Sequence, residues 1–265
     1  MAKGVFRATK KDGSVYYRAS ITYRGKHISL GSFAEETDAH RAYQTADALL
    51  QSEISYTPED YHSSDFPCLL FPKWISLINF KNNGLYIKTP IYLQRHFFSY
   101  YLSPQDVLVF DVDDLFYYSN HAIMRRGNHL FVSEYGMQTN IHTRYGIRNF
   151  ARPGADFTFT NGNSNDYRYS NIRIINPYHG VTVSHAPGHM DYAARLHIRG
   201  NYLVGHFATL QEAAVAYNKA ADHVEAKGCP KQFARNYIEN MTKKEYASLY
   251  DSIQLPDSLL TYSPE

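Results

Sequence analysis

Apolar and polar residues alternate near the start of the chain in the pattern of a β-strand with one covered face. Residues 17, 19, 21 and 23 are apolar or aromatic, and the positions between them are polar: Arg18, Ser20, Thr22 and Arg24. A turn at Asp12-Gly13 separates this strand from a shorter one before it. Arg24-Gly25 leads into a third strand that ends near Leu30. The pattern predicts a three-stranded antiparallel sheet.

A helix is predicted directly after this sheet, from about Glu35. Its apolar positions recur at helical spacing and are mostly small: Ala39, Ala42, Tyr43, Ala46, Leu49 and Leu50. Small residues allow a helix to lie close to a sheet, and a single helix covers only one sheet face. We therefore expect the other face to be open to solvent.

The same order of strands, turns and helix returns in the second half of the chain. Gly4-Val5 matches Gly180-Val181, Arg24-Gly25 matches Arg199-Gly200, and Ala42-Tyr43 matches Ala216-Tyr217. In the second copy Pro187-Gly188 supplies the first turn, and Thr209 with Glu212 forms a capping box before the helix. The chain is therefore predicted to carry two copies of one sheet-plus-helix module.

Charge adds a candidate function to the first sheet. The 265-residue chain has a formal net charge of only +2, but residues 1–33 contain seven Lys or Arg against the single acid Asp12. Of these, Arg7, Arg18 and Arg24 are expected on the open face together with Thr22. A solvated polar face is the simplest interpretation. The alternative is a sheet that lies in the DNA major groove, where Arg reads guanine edges and Lys and Thr hold phosphates.

Both copies resemble the APETALA-type, or ethylene-response-factor-type, DNA-binding domain. The resemblance rests on the initial Gly-Val, the arginine-bearing strands, the pattern Leu30-Gly31-Ser32-Phe33 or Val204-Gly205-His206-Phe207, and the alanine-rich helix from Ala213 to Ala221. It implies that the strand residues face DNA: Arg7, Arg18 and Arg24 in the first copy, and Arg195, His197 and Arg199 in the second. The Trp usual in the sheets of this family is absent, and Tyr17 and Tyr192 stand at the comparable strand.

The middle of the chain is predicted as a mixed α/β domain over residues 73–178, after a linker over residues 51–72. Four stretches are strand candidates: Trp74–Phe80, Gly84–Lys88, Asp106–Phe110 and Asn128–Ser133. A second basic stretch over residues 141–175 holds five arginines against Asp156 and Asp166. Three of these arginines are candidates for holding phosphates: Arg144, Arg168 and Arg173.

Part of this middle region resembles the HNH homing-endonuclease motif. The similar segments are Ile141-His142-Thr143-Arg144 and the stretch 158–173, with Asn161-Gly162-Asn163 inside it. An enzyme of this family uses an Asp-His pair to hold a divalent metal and activate water. Those two positions fall on Thr158 and Phe159, and Phe can neither accept a proton nor bind a cation. The resemblance therefore implies a nuclease frame without catalytic or metal-binding residues.

Taken together, these features predict an α+β protein with two sheet-plus-helix DNA-binding modules (residues 1–50 and 179–228) flanking a degenerate HNH-like domain, and a C-terminal helical tail over residues 229–265. The predicted function is sequence-specific binding of double-stranded DNA, as a transcriptional repressor without nuclease activity. An active nicking enzyme that uses His142, and an architectural protein that shields or bends its site, are the alternatives. The predicted DNA contacts are Arg7, Lys10, Lys11, Arg18, Thr22, Arg24, Lys26, Arg144, Arg168, Arg173, Arg195, His197 and Arg199.

The cysteine content and the apolar runs of the sequence restrict the compartment and the kinds of site that we expect. Cys68 and Cys229 are too few for a disulfide framework or a cysteine-based zinc site. No apolar run reaches the length of a membrane-spanning helix, and no hydrophobic signal segment follows the basic N-terminus. We expect a cytoplasmic protein with no cofactor, no membrane partner and no small-molecule substrate. A homo-oligomer stays open, and fusions of these domains are typical of phage and other mobile elements.

Overall fold

The computed structural model describes residues 2–186 and 189–264, except for the side chains of residues 184–190. The chain is α+β and consists of small antiparallel sheets and helices. It divides into two compact units, and one short segment departs from chain order. The first unit contains Met1–Ile141 and Asn163–Asn171, and the second contains His142–Gly162 and Ile172–Glu265.

The first unit begins with the predicted sheet and helix. Strands β1 (Val5–Thr9), β2 (Val15–Tyr23) and β3 (Lys26–Phe33) pair in that order, and helix α1 spans Glu36–Gln51. One sheet face is buried against α1, and three alanines on the inner side of this helix have no exposed surface: Ala39, Ala42 and Ala46. The predicted strand order, turn positions and helix stripe of the first copy are confirmed.

Residues 51–72, predicted as a linker, pack into the same hydrophobic core as α1. Phe66 and Leu69 are buried there, and the Tyr61 hydroxyl donates a hydrogen bond to the Leu69 carbonyl at 3.0 Å. Phe66 also stands 5.5 Å, centroid to centroid, from the buried ring of Trp74. The four Tyr and Phe side chains of a segment rich in Pro and Ser provide enough apolar surface to fix it against the module.

The predicted strand Trp74–Phe80 is wrong, because these residues lie inside helix α2 (Phe71–Asn83). The run is mostly apolar and buried throughout, its polar members Ser76 and Asn79 included, and a buried helix and a buried strand share that pattern. The strand predicted over Gly84–Lys88 is also absent, since Gly84 ends α2 in the left-handed conformation at φ 72°. The other two predicted strands are confirmed within one residue, as Val107–Asp111 and His129–Glu134.

The rest of the first unit consists of two more three-stranded sheets around a short helix. These elements are β4 (Ile91–Leu93), β5 (Phe97–Tyr101), β6 (Val107–Asp111), α3 (Leu115–Asn120), β7 (Ile123–Arg126), β8 (His129–Glu134) and β9 (Met137–Asn140). The segment Asn163–Asn171 joins this unit through β6. The Val109 amide donates to the Asn165 carbonyl at 2.9 Å, and the Tyr167 amide donates to the Val109 carbonyl at 2.8 Å.

The second unit contains the second sheet and helix. A two-stranded ribbon of β10 (Phe157–Phe159) and β11 (Ile172–Ile174) precedes β12 (Val181–Ala186), β13 (His189–His197), β14 (Asn201–Phe207) and α4 (Leu210–Ala226). The predicted capping box of Thr209 and Glu212 is present at the start of α4. The turn predicted at Pro187-Gly188 lies outside the described residues. The tail contains α5 (Lys243–Ser252) and α6 (Asp257–Leu260).

Candidate nucleic-acid interface

The two sheets share their strand register as well as their sequence pattern. Val5 pairs with Ala19 and Ala19 with Gly31, and Val181 pairs with Ala194 and Ala194 with Gly205. In each central strand a β-bulge follows this row, between Ala19 and Ser20 in β2 and between Ala194 and Arg195 in β13. The residue after the bulge donates its amide to the first glycine of the module, Ser20 to Gly4 at 3.0 Å and Arg195 to Gly180 at 2.7 Å. The two modules therefore share their strand pairing, the position of the bulge and this backbone hydrogen bond.

The register decides which side chains of the first sheet lie on the face opposite α1, here called the first open face. Four rows of cross-strand partners point there: Phe6, Arg18 and Ser32; Ala8 and Tyr16; Ser20 and Ser29; Thr22 and His27. Arg18 and Thr22 are exposed, as predicted. The Arg18 side chain has no hydrogen bond or ion pair within the described part of the chain.

Two arginines predicted on the first open face, Arg7 and Arg24, lie elsewhere. Arg7 pairs with Tyr17 and therefore belongs to the helix-covered face, because the place opposite Arg18 is taken by Phe6. Arg24 lies in the turn after β2, where its guanidinium donates to the Lys81 carbonyl at 3.3 Å and stacks over Tyr23. These two expectations for the open face are wrong.

The three lysines expected to contact DNA lie at the margins of the first sheet. Lys26 pairs with Tyr23 on the helix-covered side, and its ammonium lies 5.7 Å from the ring centre of Tyr86. Lys10 and Lys11 flank the exposed β1–β2 hairpin, beside Asp12, which accepts from Ser14. Lys10 and Lys11 are thus exposed in the hairpin loop, whereas Lys26 lies beside Tyr86.

In the second sheet the corresponding face, here called the second open face, presents Arg195 and His197. Arg195 is exposed, pairs with Leu203, and makes no side-chain hydrogen bond or ion pair with any described residue. His197 is exposed, and its Nδ1 lies 3.0 Å from Asn201 Oδ1. His206 also belongs to this face and forms an ion pair with Asp191 at 2.7 Å. Two of the three predicted residues therefore stand where expected.

Arg199, the third, lies in the β13–β14 turn at the place that Arg24 occupies in the first module. It lines a depression of about 210 Å³ together with Ile198, Tyr202 and two residues of the C-terminal tail, Tyr262 and Ser263. The expectation that Arg199 lies on the open face is wrong. Each turn arginine thus lies near the chain that follows its module helix, Arg24 beside the Lys81 carbonyl and Arg199 beside Tyr262 and Ser263.

The arginines of the middle region fall into both units. Arg168 belongs to the first unit, where it forms a bidentate pair with Asp166 at 2.9 and 2.6 Å and stacks over Phe97. These hydrogen bonds raise the pKa of Arg168 above its ordinary value. Arg144 and Arg173 belong to the second unit and are exposed. The expected group of three phosphate contacts is thus not one local cluster within a unit.

The positions of the catalytic pair lie on the ribbon of the second unit. Thr158 pairs with Arg173 and Phe159 with Ile172, and both side chains are half-buried. His142 stands edge-on to the buried Phe157, with 5.5 Å between the ring centres. Among the side chains that the structure describes, those of residues 2–183 and 191–264, no group of three or more His, Cys, Asp or Glu is placed to hold a metal ion. None of the helices described there is long and apolar enough to cross a bilayer.

Sequence analysis overlooked Phe6 and Leu203, which the register places on the two open faces beside Arg18 and Arg195. The sequence contained enough information to place Leu203, because it is the second residue after Gly200-Asn201 in a strand whose side chains alternate between the two faces. It was not available for Phe6, because the pairing of β1 depends on the length of the hairpin loop.

Comparisons with models of protein families, with curated proteins and with solved structures found no match to this chain.

Proposed function

We propose that the protein binds double-stranded DNA sequence-specifically, with the open faces of its two sheets as the reading surfaces. The observation that carries this proposal is the pair of unpartnered guanidinium groups, Arg18 and Arg195, one on each open face of two sheets with the same register. A guanidinium that makes no hydrogen bond or ion pair with the described residues keeps all its donors for a ligand, and guanine offers it two acceptors in the major groove.

The charge of the first module supports an anionic partner. Its three strands contain Arg7, Arg18 and Lys26 and no acidic residue, and Lys10 and Lys11 stand at the hairpin. The second module is less basic, and its open face contributes Arg195 and His197. The B-DNA major groove admits a narrow β-structure, so a small sheet with one uncovered face has a suitable shape. Binding by the two modules would differ in strength, and the first would dominate.

The proposed protein is a regulator, most simply a repressor, and has no nuclease activity. Thr158 and Phe159 stand where the resemblance to homing endonucleases calls for a metal ligand and a general base. Phe can neither bind a metal nor accept a proton, and Thr alone cannot replace the pair. A chain that retains two reading modules without the chemistry of cleavage would act by occupying its site. A protein bound at a promoter excludes RNA polymerase, and transcription from that promoter would be repressed.

A binding experiment with the full-length chain tests the first part of the proposal. The duplex is selected from a random library, and its dissociation constant is measured by fluorescence anisotropy. Arg18→Ala and Arg195→Ala should each weaken binding by about 5- to 150-fold, corresponding to about 1–3 kcal/mol for a guanine contact. Arg126→Ala is the matched control, because Arg126 is exposed on β7 and donates to Gln138 at 2.9 Å. Equal affinity in all four proteins would exclude the open faces as reading surfaces.

A cleavage experiment tests the second part. A supercoiled plasmid that carries the selected site is incubated with the protein in Mg²⁺, Mn²⁺ or Zn²⁺, with and without EDTA. We expect bound but uncut plasmid. Metal-dependent nicking that His142→Ala abolishes would instead establish the alternative of an active endonuclease.

A further inference from the structure

Each open face pairs its free arginine with an exposed apolar side chain. Phe6 is 54% exposed and is the direct cross-strand partner of Arg18, whereas Leu203 is 38% exposed and is the direct partner of Arg195. Among the large apolar side chains that are exposed in the described residues, these are the two on the open-face rows. Neither side chain contributes to the buried core of its module.

The surroundings of Phe6 form a shallow groove suited to the edge of a base pair. The groove has a volume of about 290 Å³ and is lined by Phe6, Arg18, Ser20, His27 and Ser29, with the backbone of Ala19 at its floor. It contains the Arg18 guanidinium, two hydroxyl groups, the His27 imidazole and the Phe6 ring, and no acidic residue. A ligand that fills it must offer acceptors and a small apolar group side by side.

From this juxtaposition we infer that each open face reads a guanine next to a pyrimidine 5-methyl group, with the arginine on the guanine and the apolar side chain on the methyl. This inference rests on the proposed binding of duplex DNA. Side chains of direct cross-strand partners stand about 4.5–5.5 Å apart at Cβ, and successive bases about 3.4 Å apart, so one pair spans neighbouring base pairs. In the major groove, thymine presents its 5-methyl group beside the acceptors of an adjacent guanine.

The two pairs do not occupy equivalent places, and this makes the modules different readers. The row of Phe6 and Arg18 corresponds to Thr182, Ala193 and His206 in the second sheet. The second pair lies one open-face row further on, and its apolar member comes from the third strand instead of the first. Two residues along a strand amount to about 7 Å, or about two base-pair steps. We therefore expect the guanine–thymine step that the second module reads to differ from the step that the first module reads.

Replacement of single thymines by deoxyuridine in the selected duplex tests the inference, since it removes the methyl group alone. For the wild-type chain we expect one replacement near each guanine-dependent position to weaken binding by about fourfold, which corresponds to about 0.8 kcal/mol for one methyl group. In Phe6→Ala the first replacement should have no effect, and in Leu203→Ala the second should have none. Phe6→Leu should restore the sensitivity, because it keeps an apolar contact.

Phe116→Ala is the control, since Phe116 is 84% exposed on α3 and lies outside both sheets. It should retain both sensitivities, and circular dichroism verifies that each variant is folded. Sensitivity that persists in Phe6→Ala and Leu203→Ala, or a wild type indifferent to every replacement, would overturn the inference while leaving DNA binding intact. Equal affinity for single strands of the selected site would also overturn it. If no duplex can be selected, the proposed function fails and the inference fails with it.

Discussion

At the residue scale, the first glycine of each module shows why the two sequences agree where they do. Gly4 and Gly180 have φ of 76° and 68°, a region that side chains disfavour. A Cβ on Gly4 would come within 2.0 Å of the Tyr43 ring, and one on Gly180 within 2.2 Å of the Tyr217 ring. Glycine and tyrosine therefore form one unit of packing in both modules, although 39 and 37 positions separate them in sequence.

We expect Gly4→Ala and Gly180→Ala to lower the free energy of unfolding by about 2–5 kcal/mol, because each combines backbone strain with overpacking. Gly180→Ala should be the more severe, since its Cβ would also lie 2.5 Å from the Arg195 carbonyl oxygen. Gly13→Ala is the control: φ is 84°, but no atom lies within 4 Å of the added carbon. It should cost about 1 kcal/mol. Chemical denaturation measures all three, and equal losses would exclude the tyrosine contact as the cause.

His179, just before the second module, carries a pH dependence. Burial, and then the charge of Arg148, lower its pKa below the ordinary value of 6.5. Between that lowered pKa and 6.5 the unfolded chain binds more protons than the folded one. This contribution to stability is therefore complete above pH 6.5 and is lost as the pH falls toward the lowered pKa. Thermal unfolding between about pH 5 and pH 8 should reveal it.

His179→Gln should flatten this part of the pH profile while leaving the stability above it little changed. The amide of residue 179 donates to Asn236 Oδ1 at 2.7 Å and its carbonyl accepts from Asn236 Nδ2 at 3.0 Å, and both contacts survive the substitution. An unaltered slope in the variant would assign the pH dependence to other groups.

At the element scale, each module helix is covered on its outer side by the chain that follows it. Lys81 of α2 donates to the carbonyls of Leu49 and Ile54 at 2.9 and 2.7 Å, just after α1. Lys219 of α4 donates to the carbonyls of Tyr250 and Ile253 at 2.6 and 2.7 Å, at the end of α5. In both modules a lysine side chain thus donates to carbonyls at the end of a helix, although the surrounding sequences differ.

The tail should be part of the stability of the second module. Leu259 of α6 has no exposed surface, whereas its neighbour Leu260 is 45% exposed. We expect Leu259→Ala to lower the free energy of unfolding by about 2–5 kcal/mol through the cavity that it leaves. Leu260→Ala should change it by about 0.5 kcal/mol or less. Urea denaturation compares the two variants, and similar values would contradict the packing of the tail into this core.

Sequence patterns predicted the type and the buried face of elements that are covered on one side. They did not distinguish helix from strand in elements that are covered on both sides. The buried residues of α1 recur at helical spacing, and in β2 Arg18 and Thr22 are exposed whereas Ala19 and Ile21 are buried, so these faces could be predicted from the chain. In α2, Trp74, Ile75, Leu77 and Ile78 are all buried, and no periodicity distinguishes helix from strand. Arg7 was assigned to the wrong face for a different reason, since the register of β1 depends on the geometry of the hairpin.

At the scale of the whole molecule, the division into units follows contacts that no local pattern encodes. The boundaries predicted at residues 73 and 178 rest on sequence pattern alone. The first sheet nevertheless shares a unit with α2 and β4 to β9, and the second shares one with the ribbon of β10 and β11. Asp156 shows how the latter is held: it accepts from Arg148 at 2.8 Å and from Asn176 at 2.8 Å, and Asn176 donates to Val181 at the start of β12.

With one module in each unit, DNA binding should have a bipartite and salt-dependent form. We expect a footprint of two unequal protected segments on the selected duplex, the stronger one due to the first module. With about six to ten phosphate contacts, the logarithm of the association constant should fall with that of the salt concentration at about −0.9 per contact. Lys10→Ala with Lys11→Ala should reduce this slope by about 2. A slope flatter than about −3, or a single short footprint, would contradict binding by both modules.

The segment Asn163–Asn171 also has a consequence for synthesis on the ribosome. β6 obtains its hydrogen bonds to Asn165 and Tyr167 only from residues made more than 50 positions later, and Asp111 receives the amide of Tyr169 at 2.7 Å from 58 positions away. The first unit therefore cannot finish folding when Ile141 emerges, and it must wait while the beginning of the second unit is translated. A nascent chain stalled between residues 141 and 163 would leave Val109 and Asp111 without these partners, exposed to chaperones and proteases.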